Sequence, residues 1–535
     1  MRNVLFLFAY TFLYFNGAAQ NSPFTIHIEP YTINNLGGLQ SYAFGQDNGK
    51  WLIVGGRLDG LHRRQPFAAF DIAGNNNQIY VVDPIAGTVW SKPITSLTTN
   101  SQEQLSSTNM AFYQSGNYLY LLGGYGYNNA SASRKTFNQL CAIDVPNTIN
   151  AIINNLPFDT YFRTIQDTAF GVTGGHLKKI NNTYYLAGGN RFDGNYNPMG
   201  GASYTQAYTN AVRRFQINDN GTNITINHLP AWIDANEFHR RDYNAVAQIL
   251  PNGQAGVTLF SGVFQPTIDL PYLGSVTFDS TGYAPDLNFQ QYYNHYHCGV
   301  LPVYSASQQQ MHTIFFGGIA QYYDNGGTLT QDNQVPFVKT IARVTRNANG
   351  SMNEFKLPIE LPNYLGSGAE LIPLPGIPSY SNHVIKLDDL TADTTLVGHI
   401  YGGISSTSPN IFMSNDGSQS SAHNGLFKVY IVKNKPSSID FLNAQSNGSL
   451  QLQAQFINGK LWPTIHAFLK QSSDVHIRIL QNDGKTIHSE LIKRNLPGTF
   501  KYTIPENLFS AHGNYILIMQ TDYEKASLQF QKKMQ

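Results

Sequence analysis

The 535-residue chain has few charged residues, two cysteines, and no apolar run beyond its amino terminus that is long enough to span a membrane. Lysine, arginine, aspartate and glutamate together make up 13% of the residues, and the formal net charge is +1. A chain with this charge has no electrostatic attraction to nucleic acid or to an anionic membrane. We therefore expect neither as a partner.

Several catalytic and metal-binding signals are also missing. The chain contains no Gly-x-Ser-x-Gly elbow, no His-Glu-x-x-His motif, no phosphate-binding loop and no paired-cysteine metal site. Cys141 and Cys298 both lie in apolar, strand-like context, which favours buried thiols over a disulfide. The sequence therefore predicts no cofactor and no metal.

The amino terminus is typical of a secretory signal peptide. One basic residue, Arg2, precedes an apolar run from Val4 to Phe15 and a small-residue stretch that ends near Gln20. The alternative is an uncleaved anchor, but the run is short for a membrane span. We expect residues 1–20 to be removed and the mature chain, without a membrane span, to be secreted or held at the cell surface.

A strand-like apolar run that ends in two small residues recurs six times. The first four pairs begin at Gly55, Gly123, Gly188 and Ser261, and the last two begin at Gly317 and Gly402. Successive pairs are about 55–85 residues apart, which suits a four-stranded repeat unit with long loops. Glycine at the end of a crowded strand lets neighbouring backbones approach closely.

Each repeat is predicted to hold four strands in antiparallel order, and helical periodicity is absent throughout. The sixth repeat ends in "GLFKVYIVKNK" without a fourth strand, whereas "PFTIHIEPYTI" near the amino terminus has the pattern of a fourth strand. The first strand is therefore expected to complete the last repeat, which closes the ring and removes two exposed sheet edges.

The first repeat resembles the kelch family of β-propellers, since it keeps the glycine pair Gly55 and Gly56, followed by Tyr80 and Trp90. Later repeats depart from this pattern: Cys141 replaces the tyrosine, and Ser261 replaces a glycine. The resemblance implies an all-β fold in which residues 21–435 form a six-bladed kelch-like β-propeller.

A polar stretch at 436–447 is interpreted as a linker, and residues 448–535 as a small β-sandwich with a hairpin at "NDGK". The pattern "VHIRILQNDGKTIHSELI", followed by "GNYILIMQ" and a basic tail, resembles the carboxy-terminal sorting domain of type IX secretion cargo in Bacteroidota. The resemblance implies that this domain contacts the type IX secretion machinery and sorts or anchors the chain. A carbohydrate-binding or immunoglobulin-like module is the alternative.

The loops after the glycine pairs are long and combine aromatic with charged residues, a mixture that can stack on a sugar ring and bind its hydroxyl groups. The alternative is that these side chains only pack the loops against one another. The candidate ligand-binding residues in these loops are Arg57, Asp59, Tyr125, Tyr127, Arg191, Asp193, Tyr322 and Tyr323.

The loop before the fourth repeat, "NEFHRRDYN", concentrates ionisable groups. Glu237 and His239 can move protons, and Arg240 and Arg241 can hold a carboxylate, so these four are the catalytic candidates. Arg240, Arg241, Asp242 and Tyr243 are also candidate ligand-binding residues. The arrangement resembles the kelch-type sialic acid epimerases in architecture only, and a structural salt bridge between Asp242 and a neighbouring arginine is the favoured alternative.

His295 and His297 are further ligand-binding candidates. On an extended strand they would face the same side, a spacing found in metal sites. With Tyr293, Tyr296 and Cys298 nearby, the segment resembles copper radical oxidases, which need a tyrosine cross-linked to cysteine. Cys298 lies in an expected core strand, so packed histidines are favoured.

Three functions remain open. The favoured one is an exported binding propeller for a carbohydrate or a surface partner. The second is a carbohydrate-active enzyme, such as a sialic acid epimerase-like isomerase or a lyase. The third is a structural or adhesive surface protein.

Overall fold

The computed structural model describes residues 22–201, 203–434, 439–447, 450, 452–455, 464–481, 484–505, 508 and 513–532. The expected signal peptide, residues 1–20, lies outside these ranges. The chain divides into two units: one spans Ile26–Ile431, and the other contains Val432–Gln535 with the residues before 26. No helix within the described ranges is long and apolar enough to cross a membrane.

The first half of the larger unit consists of successive four-stranded sheets. Strand β1 (Phe24–Tyr31) comes first in the chain, and the first sheet holds β2 (Ala43–Asp47), β3 (Lys50–Val54), β4 (Gln78–Asp83) and β5 (Thr88–Pro93). The second sheet and its inserted hairpin β8–β9 are built from β6 (Ala111–Ser115), β7 (Tyr118–Leu122), β8 (Tyr125–Asn128), β9 (Ser133–Thr136), β10 (Gln139–Asp144) and β11 (Phe162–Gln166). The third sheet and its hairpin β14–β15 are built from β12 (His176–Ile180), β13 (Thr183–Ala187), β14 (Asn190–Gly194), β15 (Tyr204–Tyr208), β16 (Ala211–Asp219) and β17 (Ile224–Ile233).

The second half continues the pattern. The fourth sheet holds β18 (Asn244–Ile249), β19 (Ala255–Phe260), β20 (Ser275–Phe278) and β21 (Tyr283–Asp286). The fifth sheet and its hairpin β24–β25 are built from β22 (Gly299–Ser305), β23 (Gln310–Ile319), β24 (Tyr322–Asn325), β25 (Thr328–Gln331), β26 (Phe337–Arg346) and β27 (Met352–Glu360). The remaining strands are β28 (Tyr364–Pro373), β29 (Ile385–Lys386, parallel to β22 in the fifth sheet), β30 (Thr394–Ser406), β31 (Ser420–Ala422) and β32 (Leu426–Lys433).

Strand β1 lies at the edge of the sixth sheet, whose order is β1-β32-β30-β28 with β31 beside β30. The prediction that the amino-terminal strand completes the last repeat is therefore confirmed. The strand-turn-strand order expected at the start of each repeat is confirmed as well, for example in β2 paired with β3. The unit is all-β, and its sheets fit a β-propeller.

Two short helices contradict the expectation that helical periodicity is absent: α1 (Thr99–Leu105) and α2 (Val145–Ile153). In α2 the Asp144 side chain caps the amino terminus by accepting from the amide of Asn147. Val145, Ile149 and Ile152 are buried on one face. The apolar spacing is present, but it extends over fewer than three turns within an asparagine-rich loop.

The glycine pairs stand where backbones meet. Gly123 has a φ of +64°, and a Cβ added there would lie 1.9 Å from the carbonyl oxygen of Val172, in the loop before the third sheet. The amide of Gly124 donates to that same oxygen at 3.0 Å. The expected close approach of neighbouring backbones is confirmed.

Apolar clusters lie between consecutive sheets. One joins Leu52 and Val81 of the first sheet to Leu121 and Cys141 of the second. Another contains Cys298, at the boundary of the fourth and fifth sheets. Both cysteines are free and fully buried, as the sequence predicts.

The described residues of the smaller unit form two sheets. The five-stranded one has the order β33-β40-β39-β36-β37, and the three-stranded one has the order β34-β35-β38. Their strands are β33 (Ile439–Asn447), β34 (Leu452–Gln455), β35 (Thr464–Leu469), β36 (Ser473–Gln481), β37 (Thr486–Asn495), β38 (Gly498–Thr503), β39 (Gly513–Gln520) and β40 (Lys525–Lys532). Ile465 and Phe500 of the smaller sheet share one apolar cluster with Ile477 and Leu517 of the larger sheet.

The expected linker at 436–447 is wrong over most of its length. Residues 439–447 form β33, which pairs antiparallel with β40. The polar residues that suggested a linker are compatible with an edge strand, because such a strand is paired on one side only. Residues 435–438 lie outside the described ranges.

Candidate ligand-binding site

A closed ring of backbone hydrogen bonds joins the six sheets of the larger unit. Each sheet contributes one residue, and each amide donates to the carbonyl of the ring residue in a neighbouring sheet at 2.8–3.2 Å. The ring residues are Ser41, Asn109, Gly174, Asp242, His297 and Gly368. Five of them stand two residues before the first strand of their sheet, and Gly368 lies within β28.

The local sequence suits this position. Ser41, Asn109, Gly174, Asp242 and Gly368 all have positive φ values, between 51° and 71°. Glycine adopts this conformation without strain, and asparagine and aspartate tolerate it better than most residues. The polar side chains of the ring then lie around the axis on which the six sheets converge.

One side of the ring opens into a cavity of about 320 Å³, which we call the mouth cavity. All six sheets contribute to its wall, through the loops before their first strands and the loops after the glycine pairs. Its aromatic side chains are Phe70, Tyr125, Phe192, Tyr196, Phe264, Tyr296 and Phe412. Its polar side chains are Gln40, Ser41, His62, Thr108, Asn109, Thr173, Asn190, Gln206, Arg241, Asp242, His297 and Ser367.

The aromatic wall is held by contacts between its own rings. The Phe70 ring meets Tyr125 edge-on at 5.4 Å and Tyr196 edge-on at 5.7 Å. His62 meets Tyr196 edge-on at 4.8 Å, and burial lowers the pKa of His62 to about 4. The wall is therefore a preorganised apolar surface with a neutral imidazole in it.

Arg241 and Asp242 form an ion pair at the mouth cavity. Arg241 Nη1 donates to Asp242 Oδ2, and Asn109 Nδ2 donates to Asp242 Oδ1 at 3.1 Å. Arg241 Nε donates to the hydroxyl of Tyr208 at 3.2 Å, and its guanidinium lies over the Phe264 ring. Burial disfavours the charge on Arg241, but Asp242, Tyr208 and Tyr296 together outweigh burial and raise the pKa of Arg241.

A second pair lies at the ring itself. His297 Nε2 is 3.1 Å from Glu370 Oε1, and the His297 ring meets the His176 ring edge-on at 4.9 Å. Burial, together with the neighbouring His297, holds the pKa of His176 well below its usual range. His176 Nε2 bonds the carbonyl of Tyr243 at 2.7 Å. A histidine paired with a carboxylate at the floor of a cavity can exchange a proton with a bound molecule.

One buried acceptor at the cavity has no protein partner. The Asn190 side chain is 3% exposed and lines the mouth cavity. Its Oδ1 has no hydrogen-bond partner among the described residues. A buried acceptor without a partner is costly, so a ligand donor at this place would relieve a penalty.

Four of the candidate residues from the sequence line the mouth cavity: Tyr125, Arg241, Asp242 and His297. The favoured alternative for Asp242, a salt bridge to a neighbouring arginine, is confirmed by its pair with Arg241. Both residues nevertheless remain part of the cavity wall.

The other arginines among the candidates are engaged elsewhere. Arg57 is 3% exposed and holds Asp59 with two hydrogen bonds, of 2.7 and 2.5 Å. Arg240 is fully buried and donates to the backbone carbonyls of Glu237, Ser261 and Gly274. Both therefore order their own loops.

Eight further candidates do not line the mouth cavity. Arg191 binds Asp193 at 2.6 Å, and His239 stacks on Tyr208 and bonds Asn210 at 2.8 Å. The remaining five, which also do not line the mouth cavity, are Glu237, Tyr127, Tyr243, Tyr322 and Tyr323. Tyr243 is fully buried and donates to the carbonyl of Ala187.

His295 is packed and hydrogen-bonded, as favoured from the sequence, and the same-side spacing of a strand does not describe His295 and His297. Both lie in the loop before β22, where the alternation of a strand does not apply. His295 is fully buried, with Nε2 bonded to the carbonyl of Gln291 at 2.9 Å and Nδ1 accepting from the amide of Gln321 at 3.0 Å. His297 instead meets Glu370.

Sequence reasoning missed most of the cavity, including Ser41, Asn109, Thr173 and Asn190. The signal was a small or polar residue placed two positions before the first strand of successive repeats. A comparison of these positions between repeats would have found Ser41, Asn109, Gly174 and Asp242. Within the described ranges, no group of three or more His, Cys, Asp or Glu side chains is placed to hold a metal ion.

No protein-family model matches the chain, and no curated protein does. Among solved structures, the chain is similar to the structure of YjhT. The identity is 14%, the TM-score is 0.40, and the match covers 74% of this chain and 97% of that chain. It is also similar to a fungal alcohol oxidase of the AA5 family in complex with copper, with 9% identity, a TM-score of 0.36, and coverage of 96% of this chain and 100% of that one. Likeness of this extent says nothing about activity, so the functional argument depends on the cavity.

Proposed function

We propose that residues 26–431 are a six-bladed kelch-like β-propeller that binds a neutral saccharide in the mouth cavity. The closed ring of six backbone hydrogen bonds supports the blade number, since each sheet contributes one member. The observation that carries the functional proposal is the wall of the mouth cavity, where all six sheets bring aromatic rings and polar side chains together.

The chemistry of the wall suits a sugar. Phe70 and Tyr196 are half-buried and offer flat apolar faces against which the C–H side of a pyranose can pack, and the buried Tyr125 supports Phe70 from behind. Asn190 and Gln206 offer amide groups that can bind hydroxyl groups. The cavity volume is near the lower end of the range for small-ligand sites, which favours one or two sugar units.

The charge of the wall favours a neutral ligand. The positive charge of Arg241 is balanced by Asp242, and His297 is paired with Glu370. An acidic sugar would have to compete with Asp242 for the guanidinium of Arg241, and this competition costs affinity.

Saturation-transfer NMR of the full chain with neutral and acidic sugars tests the proposal. We expect transfer to a neutral sugar that is lost in Tyr196→Ala, because that ring lines the mouth cavity. The matched control is Tyr323→Ala, in the hairpin β24–β25 away from the cavity, and it should retain the transfer. Absence of transfer to every sugar would contradict the proposal and favour the adhesive alternative.

A second candidate function is acid–base catalysis on the bound sugar, favoured by the pair of His297 and Glu370 at the floor of the cavity. The same NMR samples, followed over hours, would show new sugar resonances if the protein is an isomerase or a lyase. We expect His297→Gln to abolish turnover while saturation transfer persists. The earlier catalytic candidate His239 should be replaceable by alanine without effect, since it stacks on Tyr208 outside the cavity.

The export proposal depends on the amino-terminal sequence pattern, and the sorting proposal on the carboxy-terminal one. The two sheets of the smaller unit, which share one apolar cluster, support a β-sandwich. We expect a chain lacking residues 448–535 to accumulate inside the outer membrane, whereas the full chain reaches the cell surface or the medium. Cell fractionation with an antibody against the larger unit measures this, and equal distribution of the two chains would contradict the sorting role.

A further inference from the structure

A second cavity lies on the other side of the ring from the mouth cavity. It has a volume of about 780 Å³, and we call it the far cavity. The first strands of all six sheets, β2, β6, β12, β18, β22 and β28, contribute to its wall. A small space of about 20 Å³, beside His297 and Glu370, lies between the two cavities.

The segment between β28 and β29 reaches across the far cavity. Asn382 Nδ2 donates to the carbonyl of Gln248 in the fourth sheet at 3.1 Å, and the His383 ring is 6.3 Å from the Tyr113 ring of the second sheet. Asn382 and His383 also line the cavity. The segment therefore partly covers the far cavity, which gives this cavity the enclosure of a binding site.

Lys178 brings a positive charge into this enclosed space. Its side chain lines the far cavity, and among the described residues its Nζ has no hydrogen bond and no ion pair. The acidic group that acts on it, Glu370, forms no ion pair with Lys178 and lies 3.1 Å from His297 Nε2. Burial lowers the pKa of Lys178, and Glu370 opposes this effect only in part.

The neighbouring lysine differs in this respect. Lys179 follows Lys178 on β12 and also lines the cavity, but its Nζ donates to Ser115 Oγ at 2.8 Å and lies over the Tyr184 ring. His176 and His383, which also line the cavity, add no positive charge, because burial lowers the pKa of both. Lys178 is thus the lysine of the far cavity whose ammonium group has no hydrogen bond and no ion pair among the described residues.

We propose that the far cavity is a second ligand site, in which Lys178 binds the oxyanion of a small molecule that bears a carboxylate or a phosphate group. An ammonium group in a partly enclosed space attracts an oxyanion more strongly than the same group does in water. The site is separate from the saccharide site, since the ring stands between the two cavities.

Isothermal titration calorimetry of the full chain at constant ionic strength tests this site with two probes, inorganic phosphate and glucuronate, and with glucose as the neutral control. We expect saturable binding of at least one anion. In Lys178→Met the affinity should fall by about tenfold or more, which corresponds to about 1.4 kcal/mol. Methionine is similar in length and apolar, and thermal unfolding of the variant checks that the fold is kept.

Lys179→Met is the matched control, and we expect its affinity to change less than threefold. Absence of anion binding to the unmodified protein would overturn the proposal, and equal loss in the two variants would overturn the assignment to Lys178. A response to phosphate alone or to glucuronate alone decides between the two kinds of anion. Tyr196→Ala should leave the anion titration unchanged, so failure of the saccharide proposal would not affect this one.

Discussion

The amide of Ser41 donates to the carbonyl oxygen of Gly368 at 2.8 Å, which joins the first sheet to the sixth. This bond completes the ring of six, and a second link is made by the amide of Gly403, which donates to the carbonyl of Leu39 at 2.9 Å. Strand β1, at the edge of the sixth sheet, reinforces the same junction. The two ends of the larger unit are therefore held together by backbone contacts between residues more than 300 positions apart.

The close backbone approach at this junction predicts how much unfolding free energy an added methyl group costs. Gly402 has a φ of +71°, and an added Cβ would lie 2.1 Å from the carbonyl oxygen of Leu39. Gly87 has a similar φ of +65° with no atom within 4 Å. We expect Gly87→Ala to lower the free energy of unfolding by about 1–2 kcal/mol, the cost of left-handed backbone alone.

In Gly402→Ala the clash adds to that cost, and overpacking typically costs about 1–3 kcal/mol more. Urea unfolding of the two variants measures the difference between the two glycine positions. Equal losses of unfolding free energy in the two variants would mean that the junction admits the methyl group of Gly402→Ala at no extra cost.

The ion pair at the mouth cavity predicts a change of ligand preference. Asp242→Asn leaves the charge of Arg241 uncompensated, and asparagine tolerates the φ of 51° at this position. We expect the variant to gain affinity for glucuronate relative to glucose. Calorimetry in a Lys178→Met background measures the preference without a contribution from the far cavity, and unchanged relative affinity would contradict the role of Asp242.

A buried histidine predicts a dependence of stability on pH. Burial lowers the pKa of His295 from 6.5 to about 4, although the bond to the Gln291 carbonyl opposes this. Between these pH values the unfolded chain binds more protons at this group than the folded chain. The stability that neutral His295 contributes is therefore present above pH 6.5 and is lost as the pH falls toward 4.

Replacement by glutamine removes one titrating group, so the slope of unfolding free energy against pH should decrease by up to about 1.4 kcal/mol per pH unit in this window. Urea unfolding at a series of pH values measures the slope. An unchanged slope in His295→Gln would show that the group is not held neutral.

The two thiols are expected to be inert in the folded protein. Burial raises the pKa of both Cys141 and Cys298 to about 12. The thiolate is the reactive form, so we expect no reaction with a thiol-specific reagent at pH 8 and two reactive thiols per chain in urea. Rapid modification of the folded protein would contradict their burial.

Local patterns were sufficient for the strands. The pairs of small residues mark the ends of β3 and β7, and the alternation in "PFTIHIEPYTI" predicts β1 and its place beside the last repeat. The short helix α2 and strand β33 were missed. Helix α2 is too short for its apolar spacing to stand out in the sequence, and β33 is a polar stretch that forms a strand by pairing with β40.

The candidate site shows more clearly what sequence patterns do not predict. Arg57 and Arg241 look alike in the sequence, since each is followed by an aspartate within two residues. Arg57 is committed to Asp59 within its loop, whereas Arg241 and Asp242 reach the mouth cavity. The two arginines differ in whether they line the mouth cavity, and this is set by how the six sheets pack.

By itself, the sequence determined the strand repeats, the positions where backbones must approach closely, and the burial of the cysteines, because these depend on neighbours close in the chain. Only the tertiary structure decided which side chains face the axis, that His297 meets Glu370, and that Lys178 lies unpaired in the far cavity. Those contacts join residues from different sheets, and their geometry exists only after the six sheets have converged.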